Sequence, residues 1–141
     1  MTALPQSARS LIESAPLAHV VTLNADGSPQ VTCVWVGVEG NQLYFASLTE
    51  LVKIRNLRRD NRIVISIEAE SQAAWGIQEY IVIYGTAEIR EGGGAAALQR
   101  LAHRYMSLDT RFPDMDDPPA GFVVAVTVDR IRGVGPWMEG S

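Results

Sequence analysis

The sequence predicts a mainly β, α+β protein, built as a small antiparallel barrel of six strands with short flanking helices. Six runs rich in β-branched and aromatic residues are spread over the 141 residues. Most of these runs are joined by tight turns, which is the pattern of an antiparallel barrel. The strands do not alternate with crossover helices, and no GxGxxG segment follows a strand, so a Rossmann fold is excluded.

The first elements are a helix and a hairpin. Residues 7–14 predict a short helix that ends before Pro16. A β-rich run follows at 18–23, and the turn formers of 24–29 join it to a second strand at 31–38.

A second hairpin leads into a basic helix. The turn at 39–41 returns the chain into a strand at 43–46. Ser47 followed by Glu50 predicts a capping box, so we expect a helix to begin near Leu48.

The basic helix is expected to bury one face before the chain returns to β structure. Leu51, Ile54 and Leu57 recur every three residues and predict the buried stripe of this helix. Two strands follow at 62–69 and 77–90, and Gly85 indicates a bend or bulge within the second.

The C-terminal part contains the last helix and the last strand. Residues 95–106 predict a helix, and 109–120 form a loop with three prolines and four aspartates. A strand at 122–131 is followed by a Gly/Pro-rich tail, 133–137, that carries a tryptophan.

Length and charge limit the function. The length predicts a single domain spanning residues 1–141. The formal net charge of −4 argues against general nucleic-acid binding. Five basic residues nevertheless lie within ten consecutive positions. This basic cluster is equally consistent with a solvated helix face and with part of an anion site. Its members are Lys53, Arg55, Arg58, Arg59 and Arg62.

Several classes of site and location are disfavoured. The single cysteine, Cys33, allows no intramolecular disulfide, which suits a cytoplasmic protein. The N-terminal residues carry no secretory pattern, and no apolar run is long enough to span a bilayer. His19 and His103 are the only histidines, so we predict no metal site.

The basic helix could hold a phosphate. Ser47 and Thr49 offer hydroxyls near its predicted start, the first helical amides point toward an anion, and Lys53 could add a charge. The alternative is that Ser47 only caps the helix and Lys53 is solvated. A flat ring would need apolar walls, for which Trp35, Trp75 and Trp137 are candidates, although each taken singly is more often a core or interface residue. Trp137 is the best candidate of the three, because it lies in the Gly/Pro-rich tail and not in a periodic strand.

Taken in order, these segments resemble the pyridoxamine-5'-phosphate-oxidase-like split β-barrel proteins, in particular the flavin/deazaflavin oxidoreductases that use coenzyme F420. The resemblance covers the chain from about Ser7 to Trp137. The matching segments are VVTL at 20–23, DGSP at 26–29, VWV at 34–36, LYFAS at 43–47, KIRNL at 53–57, RIV at 62–64 and YGTAEI at 84–89.

The resemblance implies an FMN-binding type of split β-barrel and a homodimer with the cofactor at the subunit interface. Ser47 and Lys53 would hold the cofactor phosphate, close to the helix-start residues Leu48 and Thr49. Arg55 and Asn56 would lie nearby, whereas Thr32 and Val34 would face the ring. The partner subunit would supply Trp75, Gly76, Gln78 and Trp137.

The implied activity is hydride transfer from F420H2 to a planar unsaturated small molecule. Arg58, Arg59 and Arg62 would meet the acidic tail of F420, which FMN lacks. Two alternatives stay open: an FMN-dependent oxidoreductase of the same fold, and a non-catalytic flavin or F420 carrier. The resemblance implies a small-molecule substrate and no membrane insertion, and it leaves the catalytic residues and the proton donor unassigned.

Overall fold

A computed structural model describes residues 2–138 of the protein, which form one seven-stranded antiparallel sheet and three α-helices. The strands lie in the order β2-β1-β5-β6-β7-β4-β3. In chain order the elements are α1 Gln6–Glu13, β1 Ala18–Leu23, β2 Pro29–Val34, β3 Gly37–Glu39, β4 Gln42–Ser47, α2 Val52–Arg59, β5 Arg62–Gln72, β6 Gln78–Glu91, α3 Gly94–Tyr105 and β7 Phe122–Val134.

The two edge strands of the sheet are consecutive in the chain, and this is what rolls the sheet into a barrel. β2 and β3 lie at opposite edges, yet only Trp35 and Val36 separate them. The last residue of β2 and the first of β3 are three residue steps apart, which span at most about 11 Å, so the two edges of the sheet must come close together. The Tyr105 hydroxyl fixes this crossing, because it accepts from the Val36 amide at 3.0 Å and donates to the Pro16 carbonyl at 2.6 Å.

This crossing also corrects the predicted strand count of six. The run at 31–38 is β-rich throughout, so its sequence predicts one strand. In the structure the run changes from one edge of the sheet to the other at Trp35, and it therefore contributes to two strands.

The core fills the inside of the barrel with alternating residues from the long central strands. Ile63, Ile65 and Ile67 of β5 lie opposite Gly85, Ile83 and Ile81 of β6, and all five isoleucines are at most 2% exposed. The predicted irregularity at Gly85 is confirmed, since the β6–β7 register shifts between Tyr84 and Gly85.

The capping-box prediction for the basic helix is wrong. Helix α2 begins at Val52 rather than near Leu48, and its N-cap residue, Leu51, makes no side-chain capping bond. Ser47 ends strand β4 instead, and its hydroxyl donates to the Thr49 carbonyl at 2.6 Å. Leu51 is 43% exposed, so only Ile54 and Leu57 of the predicted stripe are buried.

No helix within residues 2–138 is long and apolar enough to cross a membrane. Over the same residues, no three His, Cys, Asp or Glu side chains are grouped as a metal site would require.

Candidate functional site

A groove of about 290 Å³ lies between the basic helix, the β2 edge and the last helix of the chain. Its lining is mostly apolar, with Lys53 and Cys33 as the titratable groups. The lining residues are Leu17, Cys33, Val34, Trp35, Ala46, Leu51, Lys53, Leu98 and Phe112. Of the predicted cofactor residues, the structure therefore brings Val34 and Lys53 into one groove.

Lys53 is the central polar group of this groove. Helix α2 carries Lys53 in its first turn and turns the side chain inward, so that only 7% of the residue is exposed. Its ammonium donates to the Thr32 hydroxyl at 2.8 Å, which places the predicted residue Thr32 beside the groove. Lysine is almost never buried without a partner charge, and this one departs from that rule.

The charge of Lys53 has no counter-ion within the part of the chain that the structure describes. None of the ion pairs found among residues 2–138 includes Lys53. Burial lowers the pKa of Lys53 from its ordinary value of 10.5 because it removes water from the ammonium, and nearby Cys33 opposes this effect more weakly. A buried cation without a counter-ion is unfavourable by itself and is stabilised by an incoming anion.

Aromatic rings form the apolar wall of the groove. The Trp35 ring stacks on Tyr105 with centroids 5.4 Å apart and an interplanar angle of 17°. Phe112 packs against the same Trp35 ring at 5.3 Å, tilted by 59°. Rings at these separations attract one another and form a rigid apolar surface, which suits a flat ligand.

Ser47, Leu48 and Thr49 form the turn between β4 and α2 rather than the groove lining. Ser47 is 6% exposed, and its hydroxyl also accepts from the Thr49 amide at 3.2 Å. The turn brings the chain to the start of α2, where Ile54 and Arg55 donate the first helical bonds to the Leu51 carbonyl. The amides of Val52 and Lys53 precede these bonds, as orphan donors of a helix N-terminus do.

Asn56 holds the helix to the sheet. Its amide nitrogen donates to the Thr22 hydroxyl at 3.1 Å and to the Asn24 side-chain oxygen at 3.0 Å, and its own oxygen accepts from Arg59 at 3.0 Å. Asn56 is 3% exposed, so the side chain is fully engaged in this network. Its effect on a ligand in the groove would therefore act through the position of α2.

Most of the basic cluster already has partners in the protein. Arg58 pairs with Glu50 at 3.0 Å and with Glu91 at 3.4 Å. Arg62 binds both carboxylate oxygens of Asp60, and these bonds lower the pKa of Asp60 to about 2. Arg55 and Arg59 donate only to uncharged oxygens. The net positive charge of the helix surface is thus smaller than the sequence suggests.

Trp75, Gly76 and Gln78 lie at the tip of the β5–β6 hairpin. Trp75 is 97% exposed and has a φ of 64°, a left-handed conformation that tryptophan rarely adopts. Gln78 donates to the Ala69 carbonyl at 2.9 Å. None of the three lines the groove of its own subunit, and a contribution to a partner's groove stays a prediction.

Trp137 is a core residue in the structure. Only 7% of it is exposed, and its indole nitrogen donates to the Tyr80 carbonyl at 3.0 Å. The Gly/Pro-rich tail made Trp137 the best candidate wall in the sequence, but Gly135 lets the chain turn and the indole packs back onto the residues of the barrel core. A contribution of Trp137 to a partner's groove stays a prediction.

The groove contains residues that the sequence did not single out. Leu98 lies within α3, Phe112 lies in the loop that follows it, and Leu17 precedes β1. Phe112 was a visible signal, because it is the one aromatic residue in the loop at 109–120.

A model of the family described as pyridoxamine 5'-phosphate oxidase matches residues 4–135. The chain belongs to this family. No curated protein matches the chain. The family assignment agrees with the barrel and with the resemblance seen in the sequence, and the two together establish the fold.

Solved structures of the same fold carry different names. An F420 reductase is 23% identical, with a TM-score of 0.73, over 92% of this chain and 98% of the other. A conserved hypothetical protein from Mycobacterium tuberculosis is 20% identical, with a TM-score of 0.71, over 94% of this chain and 85% of the other. A heme binding protein from Mycobacterium smegmatis is 24% identical, with a TM-score of 0.65, over 93% of this chain and 53% of the other.

Proposed function

We propose that the protein is an F420H2-dependent reductase that delivers a hydride to a planar unsaturated small molecule. The observation that carries the proposal is the buried, uncompensated ammonium of Lys53 at a groove with aromatic walls. A phosphorylated planar cofactor would supply an anion to the Lys53 ammonium and a flat ring to pack against the aromatic wall. In this reading Lys53 binds the phosphate, supported by the free amides at the start of α2.

When bound, the deazaflavin supplies the hydride, and the protein supplies position and exclusion of water. Cys33 and Lys53 are the titratable groups that line the groove. Neither is placed as a persuasive acid, so we assign the proton to solvent. Val34 at the end of β2 and Trp35, which follows it, would support the ring.

F420 is preferred to FMN for two reasons. One similar fold belongs to an F420 reductase, and Arg55 and Arg59 retain guanidinium groups without carboxylate partners beside the groove helix. These two arginines, rather than Arg58 or Arg62, are the candidates for an acidic tail. FMN is the second candidate, because the same phosphate and ring contacts would serve a flavin.

We also propose a cytoplasmic homodimer in which a second copy completes the site. The outward faces of four strands place Val31, Val21, Val64 and Tyr84 side by side in register, and Val31 is 58% exposed. The nearly fully exposed Trp75 on the neighbouring hairpin would reach the partner's groove. Sedimentation should give about twice the 15.4 kDa chain mass, and a monomer at micromolar concentration would contradict the proposal.

The cofactor is tested by titration of the purified protein with F420 and, separately, with FMN. Trp35 lines the groove, so we expect F420 to quench tryptophan fluorescence at micromolar concentration and FMN to act more weakly. F420H2 should then be oxidised when menadione is added as a planar acceptor. Tight FMN binding without an F420 response would move the protein to the flavin enzymes, and F420 binding without oxidation of F420H2 would indicate a carrier.

A further inference from the structure

The Gln99 side chain ties the loop after α3 to the helix. Its amide nitrogen donates to the Thr110 carbonyl at 2.7 Å, and its oxygen accepts from the Phe112 amide at 3.0 Å. The same nitrogen lies 2.9 Å from His103 Nε2, one turn further along the helix. A single side chain therefore satisfies backbone groups on both sides of Arg111, in a loop that has no regular secondary structure.

This attachment fixes the ring of Phe112 in the groove wall. The backbone amide that Gln99 holds belongs to Phe112 itself. A second turn, in which the Thr110 amide donates to the Ser107 carbonyl at 3.2 Å, holds the segment just before it. Phe112 then packs against Trp35 and lines the same groove as Lys53.

We propose that Gln99 acts as a latch that positions Phe112 as the wall for the ring of the cofactor. The inference rests on the proposed function, because it assigns the ring of that cofactor to a defined part of the groove. Among the residues that line the groove, Lys53 of α2 is the charged side chain, whereas α3 and its loop contribute Leu98 and Phe112. A planar ring is the part of the ligand that such an apolar surface stabilises. Phe112 contacts the ring, and Gln99 is a positioning residue.

The phosphate and the ring can be separated with matched ligands. F420 is compared with the deazaflavin riboside that lacks the phosphate and tail, and FMN is compared with riboflavin. We expect Phe112→Ala to weaken each phosphorylated ligand and its phosphate-free counterpart by the same factor, roughly tenfold. Lys53→Ala should weaken only the phosphorylated ligands. Met115→Ala is the control, since Met115 lies in the same loop, is 45% exposed and does not line the groove.

The latch is tested separately with trypsin, which cleaves after arginine. The bond after Arg111 lies between the two backbone groups that Gln99 holds. We expect Gln99→Leu to speed cleavage there at least several-fold and to weaken the phosphate-free ligands. Gln99→Glu keeps the acceptor for the Phe112 amide and loses the donor to Thr110. Its cleavage rate and its ligand affinity should therefore lie between those of the unaltered protein and those of Gln99→Leu.

Three results would decide against parts of this account. If the unaltered protein binds no deazaflavin and no flavin, the proposed function fails, and the ring wall falls with it. If the unaltered protein binds them but Phe112→Ala has the affinity of Met115→Ala, the ring wall alone is wrong. If Gln99→Leu leaves both cleavage after Arg111 and ligand affinity unchanged, the latch is wrong.

Discussion

Lys53→Met is expected to weaken F420 binding by about 1–3 kcal/mol and, at the same time, to make the ligand-free protein more stable. The loss of affinity is the usual effect of removing a charge-assisted contact. The gain in stability has a different origin. Lys53 is 7% exposed and pairs with no carboxylate among the residues described, so a methionine of similar length removes the cost of a buried charge.

The stabilisation should be about 1 kcal/mol, which raises the Tm of a chain of this size by about 2–4 °C. Burial lowers the pKa of Lys53 in the folded protein below its ordinary value of 10.5. Between the folded and the unfolded pKa, the unfolded chain binds more protons, and the free energy of unfolding therefore rises with pH in that window. The advantage of methionine should be largest at neutral pH and should disappear as the pH approaches 10.5.

The pKa can be measured directly, because Lys53 is the only lysine in the chain. In protein grown with carbon-13 lysine, the NMR spectrum holds one signal from the side-chain carbon next to the ammonium. The chemical shift of that signal, followed against pH, reports the pKa. We expect a value below 10.5 in the free protein and a higher value once F420 is bound, since an anion favours the ammonium. A free-protein pKa at or above 10.5, or a Lys53→Met protein that is less stable at neutral pH, would contradict the assignment of Lys53 as an uncompensated cation.

Arg55→Met is the matched control for this experiment. Arg55 lies on the same helix, is exposed, and donates only to the Glu50 carbonyl. Its replacement should change the free energy of unfolding by less than about 0.5 kcal/mol. A similar gain in stability from both substitutions would mean that the effect belongs to the helix surface and not to a buried charge.

The sequence predicted the elements whose signals are local. The alternating isoleucines of β5, the turn at 24–29 and the irregularity at Gly85 are properties of neighbouring residues, and each appears in the structure. The edges of α3 also agree within one residue. The family resemblance depended on the order of such segments, which explains why the fold could be predicted from the sequence.

The errors arose where distant residues decide the structure. The run at 31–38 is divided at Trp35 because the barrel closes there, and Tyr105, far away in the chain, holds that crossing. Ser47 has the residue type of a helix cap, but its hydroxyl is used in a turn two residues long. The burial of Lys53 and of Trp137 depends on packing against other elements, which no local pattern records.

Gly121→Ala is expected to lower the free energy of unfolding by about 3 kcal/mol or more. It should also displace the turn at Ser47 and Leu48, which leads into the helix that carries Lys53. Gly121 has a φ of +69°, a left-handed conformation in which an added side chain is strained. A Cβ at this position would also collide with the Ser47 carbonyl oxygen and lie 3.1 Å from Leu48 Cα. Both contacts are with backbone, so the chain itself must move.

Gly92→Ala separates the two contributions, because Gly92 has a φ of +84° and nothing within 4 Å of an added Cβ. Its replacement should cost only the conformational strain, about 1 kcal/mol. Urea unfolding followed by tryptophan fluorescence compares the two variants. Equal costs would mean that the backbone around Ser47 yields freely. A larger cost for Gly121→Ala would indicate that the turn from Ser47 to α2 is held rigidly. The apparent affinity for F420 should then fall in proportion to the fraction of the variant that stays folded. A rigid turn keeps the Lys53 ammonium in place before any ligand arrives.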